Sequence, residues 1–357
     1  MERLVLTNEC KENSINRQTD RQTDRQTDRI AWIDIAKGYG ILFVIFAHLD
    51  VGILGTWIYT FHMPLFFLLS GYVFGLKYDF RTFVNKKIHS IVIPYITLGI
   101  PMIIFKILSY YHASTLDIST IKELIVDFCL QRRFWTLWYI ACLFWLNIIF
   151  YIIVSKLKKI KCIVFVSFMM FWIGIMYYHF GGESLPWNID VCLTAILFFA
   201  VGFWLKNNYI NIREKITIIS SVILFIFFGV INLIFGYLGI KIAGYGMEMF
   251  GSRYGFPPLT IISAFAGIFC VIIFSHWFNL SFIKYIGRNS LLYYAWHQTI
   301  IMPLVTGSLK YVGVIRDDMT TIEKFLEKII ELIIIVLVLT ICNMVISKTK
   351  LKFMLGR

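Results

Sequence analysis

Hydrophobic residues fall into ten long runs along the chain, and mostly short polar segments separate them. Each run is close to the 20 apolar residues that an α-helix needs to cross the hydrocarbon core of a bilayer. The pattern therefore predicts an all-α, polytopic membrane protein with about ten transmembrane helices. The predicted spans are 36–55, 57–76, 88–108, 134–155, 161–180, 189–205, 216–236, 257–278, 287–306 and 329–347.

The basic residues between the spans predict how the helices are oriented. With the amino terminus placed in the cytoplasm, 23 of the 34 Lys and Arg residues fall in cytoplasmic segments and nine in outward segments. Segments rich in Lys and Arg stay on the cytoplasmic side of a membrane. An even number of spans also requires the two termini to share a side, so both termini are predicted to be cytoplasmic.

The composition agrees with a lipid environment and excludes several classes of protein. Of the 357 residues, 59% are hydrophobic and 15% are charged, whereas soluble domains carry about 25% charged residues. The net charge of +13 comes from basic residues between apolar runs, so no nucleic-acid partner is expected. The seven cysteines are scattered without a CxxC pair, and neither a disulfide framework nor a metal site is expected.

Three regions of the chain differ in composition. Residues 1–29 form a polar, low-complexity tail that is predicted to be disordered, residues 30–347 form the membrane-embedded domain, and residues 348–357 form a short basic cytoplasmic tail. Residues 17–29 repeat the unit Arg-Gln-Thr-Asp, which tandem copies of the four bases CAGA encode. Our hypothesis is that changes in the length of this tract switch expression on and off (phase variation). Mixed synonymous codons across the repeat would contradict it.

Ionisable residues in membrane spans are costly and are therefore candidates for function. Lys37 and His48, in the first apolar segment, are eleven residues apart, which places them on one helix face with a rise of roughly 16 Å between them. Asp34 lies one turn before Lys37 and can pair with it. Lys37 could hold an anionic ligand, and the His48 imidazole could accept a hydroxyl proton. The alternatives are a snorkelling Lys37, an Asp34 that only pairs with it and a His48 that only packs helices together.

Two further histidines lie beside or within later spans. His62 is expected near the outer interface, at the start of the second span. His297 lies about ten residues into the ninth span and is expected near the membrane midplane. Its alternative role is a structural hydrogen bond within the helix bundle. Both side chains could line a cleft in the membrane domain.

Other polar side chains have simple structural explanations beside the functional ones. Ser70 precedes a glycine, and packing of small residues accounts for the pair. Trp138 opens the fourth span among other aromatic residues, as in an aromatic belt at the membrane surface. Lys86 and Lys87 belong to a basic segment that either anchors the protein or forms a cytosolic patch for an anionic cofactor.

These residues stand in motifs that resemble the acyltransferase-3 family of integral membrane O-acyltransferases, with most likeness to its fucose 4-O-acetylase-like branch. The family has Arg, ten residues and His in its first span, and here Lys37 stands in the place of Arg. Lys86 and Lys87 fall on the family's arginine-rich stretch. The likeness covers about residues 30–345, and its motifs are DIAKG at 34–38, His48, FHMPLFFLLSGY at 61–72, IPY at 93–95, LWYI at 137–140 and LLYYAWHQ at 291–298.

The resemblance implies transfer of an acyl group, usually acetyl, from cytosolic acetyl-coenzyme A to a sugar hydroxyl. The acceptor would be a glycan of the bacterial envelope or its lipid-linked precursor, and the enzyme would lie in the inner membrane. The implied catalytic residues are His48 as general base, with Lys37 and Asp34. Basic side chains would hold the coenzyme A phosphates, namely Lys37, Lys86 and Lys87. The candidate contacts to the acceptor are His62, Ser70, Trp138 and His297. Ser70 is also a candidate hydrogen-bond donor to the oxyanion.

Two other functions are consistent with a ten-span protein. A transporter or flippase of a glycolipid or small solute would also carry polar residues near the midplane. The sequence shows neither the inverted repeat nor the interrupted spans that are typical of transporters. A glycan polymerase or ligase would need a large outward loop, whereas the longest here, 109–133, has about 25 residues and no distinctive feature.

Overall fold

The computed structural model describes residues 30–213, 216–316 and 318–356. The Arg-Gln-Thr-Asp repeat at 17–29, with the rest of the predicted tail, lies outside these residues. Within them the chain is almost entirely helical, and two short strands form a single hairpin. The all-α fold predicted from the hydrophobic pattern is therefore confirmed.

Among the described residues up to Arg213, the chain forms nine α-helices. A π-helical turn, Ile88–Val92, joins the fourth to the fifth, and 3₁₀ turns at Trp135–Leu137 and Pro186–Asn188 precede the seventh and the ninth. The helices are α1 Ala31–Ala47, α2 Ile53–Tyr59, α3 His62–Tyr72, α4 Phe80–Lys87, α5 Ile93–His112, α6 Ile118–Leu130, α7 Trp138–Lys156, α8 Ile160–His179 and α9 Ile189–Arg213.

The described residues after Arg213 add six α-helices and the hairpin. A second π-helical turn, His297–Ile301, lies between α13 and α14, and a 3₁₀ turn at Lys350–Leu355 follows the last helix. The hairpin strands are antiparallel. In chain order the elements are α10 Ile218–Ala243, β1 Met247–Glu248, β2 Arg253–Tyr254, α11 Pro257–Trp277, α12 Ser281–Arg288, α13 Ser290–Trp296, α14 Met302–Tyr311 and α15 Thr321–Lys348.

Eight helical segments in the described part of the chain are long and apolar enough to cross a membrane, and two of the ten predicted spans are not among them. The first predicted span, 36–55, is wrong at its end because α1 has 17 residues and stops at Ala47. Asp50 and Gly52 turn the chain there with positive φ angles. The ninth, 287–306, is divided among α12, α13, a π turn and α14.

The segment 109–133, predicted to be an outward loop, is more ordered than the sequence suggests. It contains α6, which begins where the Asp117 carboxylate accepts a hydrogen bond from the backbone N–H of Thr120 at 2.7 Å. The hydrogen bonds from Thr120 and Ser119 hold the pKa of the Asp117 carboxyl below its ordinary value. An isolated capping residue in a polar loop is a weak sequence signal, and the expectation of a plain loop is corrected by this helix.

Glycines allow the central helices to approach one another closely. α3 and α9 cross at Gly71 and Gly202, and each glycine lies against the backbone of the other helix. α1 and α12 cross in the same way at Gly38 and Gly287. A β-carbon at any of these positions would collide with the neighbouring backbone, so small residues set the helix spacing. This packing confirms the structural explanation for the glycine after Ser70.

The helices α10 and α11 pair along their length at the edge of the bundle. Most of the apolar surface of α10 is exposed rather than buried against other helices. In a bilayer such a surface faces lipid chains.

Candidate active site

Three histidines that are far apart in the sequence line one cavity of about 430 Å³, which we call the histidine cavity. His48 follows the last residue of α1, His62 is the first residue of α3, and His297 begins the π turn after α13. His62 and His297 are buried, and His48 is partly exposed. The structure thus brings together three of the residues singled out in the sequence, and Trp138 lines the same cavity.

Each of the three imidazoles makes the same hydrogen bond through Nδ1. In His48, His62 and His297 the Nδ1 atom lies 2.7–3.0 Å from a carbonyl oxygen in the preceding helical turn. A carbonyl oxygen only accepts, so Nδ1 carries the proton of the neutral ring and donates it. Nε2 therefore keeps its lone pair in all three rings. These backbone hydrogen bonds therefore leave Nε2 of each imidazole able to accept a proton.

The imidazoles form a continuous group of rings with one tyrosine. The ring centroids of His48 and His297 are 5.1 Å apart, and those of His48 and Tyr59 are 5.7 Å apart. Tyr59 in turn lies 4.9 Å from His62. Nε2 of His297 is buried without a hydrogen-bond partner. An unpaired buried acceptor of this kind costs free energy.

The rim of the histidine cavity carries one cation and one carboxylate. Lys106 extends from α5 and lies with Nζ 5.2 Å from the centroid of the Trp135 ring. Glu248 comes from strand β1 and also lines the cavity. Tyr294 is a further aromatic residue of the cavity lining. A carboxylate, an ammonium group and aromatic faces in one small cavity can recognise a polar ring-shaped molecule.

A largely buried arginine ties together the segments around this cavity. Arg133 donates to the carboxylate of Asp190 at 2.5 Å and to the side-chain oxygens of Asn188, Tyr178 and Ser252 at 2.5–2.6 Å. The Asp190 side chain is fully buried and that of Arg133 is 13% exposed. Buried charges need such paired and hydrogen-bonded surroundings. The network links the loops before α7 and α9 to the hairpin that carries Glu248.

A second cavity, of about 910 Å³, lies at the other end of α1 and is rich in lysines. We call it the lysine cavity. It brings together Lys37, Lys86 and Lys87, as the sequence predicted, and adds Lys77 and Lys206. Lys86 lies 4.2 Å from the centroid of the Tyr78 ring, while Lys206 donates to the carbonyl of Phe74 at 2.9 Å. Five ammonium groups around one cavity fit a ligand with several phosphates.

Asp34 also lines the lysine cavity, and its structural partner is one that the sequence did not reveal. Nε of Arg288, at the end of α12, donates to the Asp34 carboxylate at 3.0 Å. The residues are 254 positions apart, so no local pattern could have joined them. The pair fastens α12 to α1 at the crossing set by the central glycines.

Lys37 lies within α1 and His48 directly follows its last residue, yet the two line different cavities. The α-helical rise separates them by roughly 16 Å along the axis of α1. The expectation of a cation and an imidazole facing the same side of α1 therefore leads to two sites rather than one. Any molecule that engages both must reach from one end of α1 to the other.

Ser70 lines neither of the two cavities. Its hydroxyl lies 3.2 Å from the hydroxyl of Tyr139, which also donates to the carbonyl of Phe66 at 3.3 Å. Tyr139 packs against Tyr294 at 5.3 Å between ring centroids, so Ser70 is one layer behind the cavity wall. Direct contact with an acceptor is not supported for this residue in the described conformation.

Some cavity residues were missed because their sequence context carries no signal. Lys106 is a single cation inside an apolar run, and Glu248 lies between two predicted spans without a motif. Tyr59 precedes the conspicuous segment 61–72 and looks like one more interfacial aromatic residue. Among the described residues, no group of three or more His, Cys, Asp or Glu side chains is placed to hold a metal ion. The three histidines line the cavity without forming a metal centre.

The fold and its two cavities define a polytopic membrane protein with an imidazole site and a separate polycationic site. Residues 30–348 match the family model described as an acyltransferase domain. This match spans most of the chain, and the protein belongs to the acyltransferase-3 family. The resemblance seen in the motifs is thereby confirmed at the level of the family. Neither the curated proteins nor the solved structures include a match to this chain.

Proposed function

We propose that this membrane acyltransferase transfers an acetyl group from acetyl-coenzyme A to a sugar hydroxyl, with His48 as the general base. The acceptor is a glycan of the cell envelope or its lipid-linked precursor, as in the fucose 4-O-acetylase-like branch. The observation that carries the proposal is the hydrogen bond from His48 Nδ1 to the carbonyl of Val44 at 2.7 Å. It leaves Nε2 unprotonated beside a cavity in which a hydroxyl can bind.

The lysine cavity supports the choice of coenzyme A as donor. Its ammonium groups from Lys37, Lys86 and Lys87 would hold the phosphates, and Lys77 and Lys206 would add to the positive field. In the orientation predicted from the basic residues, this cavity would lie at the cytoplasm, where coenzyme A thioesters are made. The flexible arm of coenzyme A extends from its phosphates to its sulfur, so the thioester could reach along α1 towards His48.

The chemical step follows from the neutral state of His48. The acceptor O–H donates to Nε2, and the ring takes the proton as the oxygen attacks the thioester carbonyl carbon. A C–O bond forms and the C–S bond breaks, which releases coenzyme A as a thiolate that regains the proton from the imidazolium. The product is an acetyl ester of the sugar. Atoms and charge balance without a metal or a redox partner.

The remaining cavity residues have proposed roles in binding the acceptor. His62 and His297 offer Nε2 lone pairs to neighbouring sugar hydroxyls, and Trp138 offers an aromatic face to the sugar ring. Asp34 acts as a positioning residue because its pair with Arg288 holds the α1 end that carries Lys37. Ser70 supports the wall through Tyr139 rather than contacting the acceptor.

A transporter or flippase is the second candidate, and one observation favours it. The helix that carries His297 is interrupted by a π turn, and transporters bind solutes at broken helices. π turns also occur at catalytic sites, and the family match weighs for acyl transfer.

The proposed location is the bacterial inner membrane. A change in the length of the repeat at 17–29 would shift the reading frame and stop synthesis of the enzyme. The surface glycan would then lose its acetyl group, which would give the repeat a purpose.

The test uses membranes from cells that express the wild type, His48→Ala or His112→Ala. His112 is an exposed histidine at the end of α5 and is a matched control. Radiolabelled acetyl-coenzyme A is supplied, and label is followed into the glycan and glycolipid fractions at equal protein levels. Label with the wild type and His112→Ala, lost with His48→Ala, is the expected result. Equal label with all three proteins would refute the role of His48, and uptake of solute without acetylation would favour transport.

A further inference from the structure

A third cavity, of about 300 Å³, lies between α2 and the β1–β2 hairpin, and no step of the proposed reaction uses it. We call it the hairpin cavity. Its volume is at the lower end of the range for small-molecule sites. Hydroxyl, carboxylate and guanidinium groups belong to the side chains around it, so it suits a polar ligand. These side chains include Thr56, Tyr59, Tyr245, Glu248 and Arg253.

The hairpin cavity and the histidine cavity are neighbours. Tyr59 and Glu248 line both of them. The Tyr59 ring also lies against the rings of His48 and His62, with centroid distances of 5.7 and 4.9 Å. The two cavities therefore meet at Tyr59 and Glu248, beside the imidazole that is proposed as the general base.

Glu248 has an unused carboxylate at this boundary. Its side chain is half-buried, and within residues 30–213, 216–316 and 318–356 it makes no hydrogen bond or ion pair, even with Arg253, its register partner across the hairpin. Neither carboxylate oxygen is enclosed by the protein, so groups of a ligand can reach both. An ionised carboxylate only accepts hydrogen bonds, and its two oxygens can accept from separate donors.

The hairpin that carries Glu248 is held firmly by its neighbours. The Tyr254 side chain on β2 is buried, and its hydroxyl lies 2.7 Å from the hydroxyl of Thr194. At Gly246, an added β-carbon would lie 3.0 Å from the Thr56 side chain, so the start of the hairpin packs directly on α2. A carboxylate on such a fixed element is preorganised, which lowers the entropic cost of binding a ligand.

The groups around the hairpin cavity match the chemistry of a sugar. Sugar hydroxyls can donate to the Glu248 carboxylate and accept from the Arg253 guanidinium. The rings of Tyr59 and Tyr245 offer apolar faces to the C–H side of a sugar ring. A hydrocarbon chain would instead cover the carboxylate without giving it a hydrogen bond, at a cost in free energy.

We propose that the hairpin cavity is a second acceptor subsite, which binds the sugar next to the one that receives the acetyl group. The sugar to be acetylated lies in the histidine cavity. The Glu248 carboxylate lies beside the linkage, and its two oxygens accept hydrogen bonds from hydroxyls of the two sugars. The acceptor therefore contains at least two linked sugars. This inference rests on the proposed acetyl transfer and gives Glu248, Tyr245 and Arg253 a role in selecting the acceptor.

The experiment compares acceptors of different length. The glycan fraction that takes up labelled acetyl is de-O-acetylated with base, partly hydrolysed with acid and sorted by size into monosaccharides and disaccharides. Membranes that contain the full-length protein then acetylate each fraction from acetyl-coenzyme A, and kcat/KM is compared. We expect the value for the disaccharides to be about tenfold higher, because a hydrogen bond to a charged group contributes roughly this much.

Variants of the hairpin cavity identify the contacts. Tyr245→Ala removes an aromatic face and should reduce the preference for disaccharides about fivefold. Glu248→Gln keeps the shape and removes the charge, so it should also reduce that preference. Tyr311→Ala is the matched control, because Tyr311 is a 92% exposed tyrosine at the end of α14 and lies outside both cavities. It should keep the preference of the wild type.

Three results would overturn the second subsite while acetyl transfer stands. The wild type could acetylate monosaccharides and disaccharides equally well, or acetylate neither although it acetylates the intact glycan. Tyr245→Ala and Glu248→Gln could both keep the full preference for disaccharides. Failure of the proposed function itself is distinct, since the wild type would then put no label into the intact glycan. Thermal unfolding of the purified variants verifies that they are folded.

Discussion

The imidazoles of His48 and His297 meet edge to face, with ring centroids 5.1 Å apart and an angle of 76° between the ring planes. They are separated by 249 positions in the sequence, and both hold their Nδ1 protons on backbone carbonyls. In the proposed reaction His48 takes a proton from the acceptor, and the neutral ring of His297 beside it could stabilise the new positive charge. This relationship makes His297 part of the proposed proton chemistry as well as of the acceptor site.

Replacement of His297 by leucine should slow the reaction without weakening the binding of acetyl-coenzyme A. We expect kcat to fall roughly 10- to 100-fold, less than for His48→Ala, because His48 remains as the base. The KM for acetyl-coenzyme A should stay within a factor of two, since the lysine cavity is separate. Steady-state kinetics with both substrates measures this. A large rise in KM for acetyl-coenzyme A alone would contradict the assignment.

Replacement of Lys86 and Lys87 by alanine should instead weaken the binding of acetyl-coenzyme A. Each lost ammonium group should raise the KM for acetyl-coenzyme A about three- to tenfold, because partly solvated charge pairs contribute about 1 kcal/mol. The effect should shrink at high salt as screening weakens the remaining field. Lys158→Ala removes the same charge from an exposed position outside the lysine cavity. If it raised KM equally, the lysine cavity would not be the donor site.

Lys37 stands at the position of an arginine in the family motif. Substitutions there can therefore separate the effect of the positive charge from that of the side-chain geometry. Lys37→Arg keeps the charge and offers a planar fork for phosphate, so activity should remain within about threefold of the wild type. Lys37→Ala and Lys37→Gln should both raise the KM for acetyl-coenzyme A. Acetylation assays at several donor concentrations compare the three variants. Equal loss of activity in Lys37→Arg and Lys37→Ala would show that the exact ammonium geometry, not the charge, is needed.

Removal of Arg133 should destabilise the protein more than removal of another paired arginine. Arg133→Leu leaves the buried Asp190 carboxylate without its cation, at an expected cost of about 3–5 kcal/mol. Arg288→Gln is the comparison, because the Arg288 side chain is 43% exposed and its pair with Asp34 is partly solvated, so the expected cost is about 1 kcal/mol or less. Thermal unfolding in detergent compares the two. A smaller shift for Arg133→Leu than for Arg288→Gln would contradict the structural role of the network.

The sequence alone singled out many of the residues that line the two cavities, because they stand in dense local motifs. His48, His62 and His297 each lie in an apolar segment where an ionisable group is costly, so they stand out. Lys86 and Lys87 stand out as a basic cluster after a span. Glu248 and Lys106 do not, since a single charge near a membrane boundary is typical of many loops and helix ends.

Some features depend on a turn or a long-range contact that the sequence does not reveal. The apolar residues after Ala47 predict a first span to residue 55, whereas α1 ends at Ala47, and Asp50 and Gly52 then turn the chain with positive φ angles. Helical spacing predicts that Asp34 pairs with Lys37, and the structure adds a contact from its carboxylate to Arg288. Ser70 is a candidate oxyanion donor from the resemblance, whereas its hydroxyl lies 3.2 Å from that of Tyr139.

By itself, the sequence determined the membrane environment, the helical class, the family and the candidate site residues. These follow from apolar run length, charge and local motif, which act over a few helical turns. Only the tertiary structure decided that Lys37 and His48 line two cavities and that three distant histidines share one of them. Helix crossings at glycines and the buried Arg133 network set those relations. Packing between segments far apart in the chain has no counterpart in local spacing.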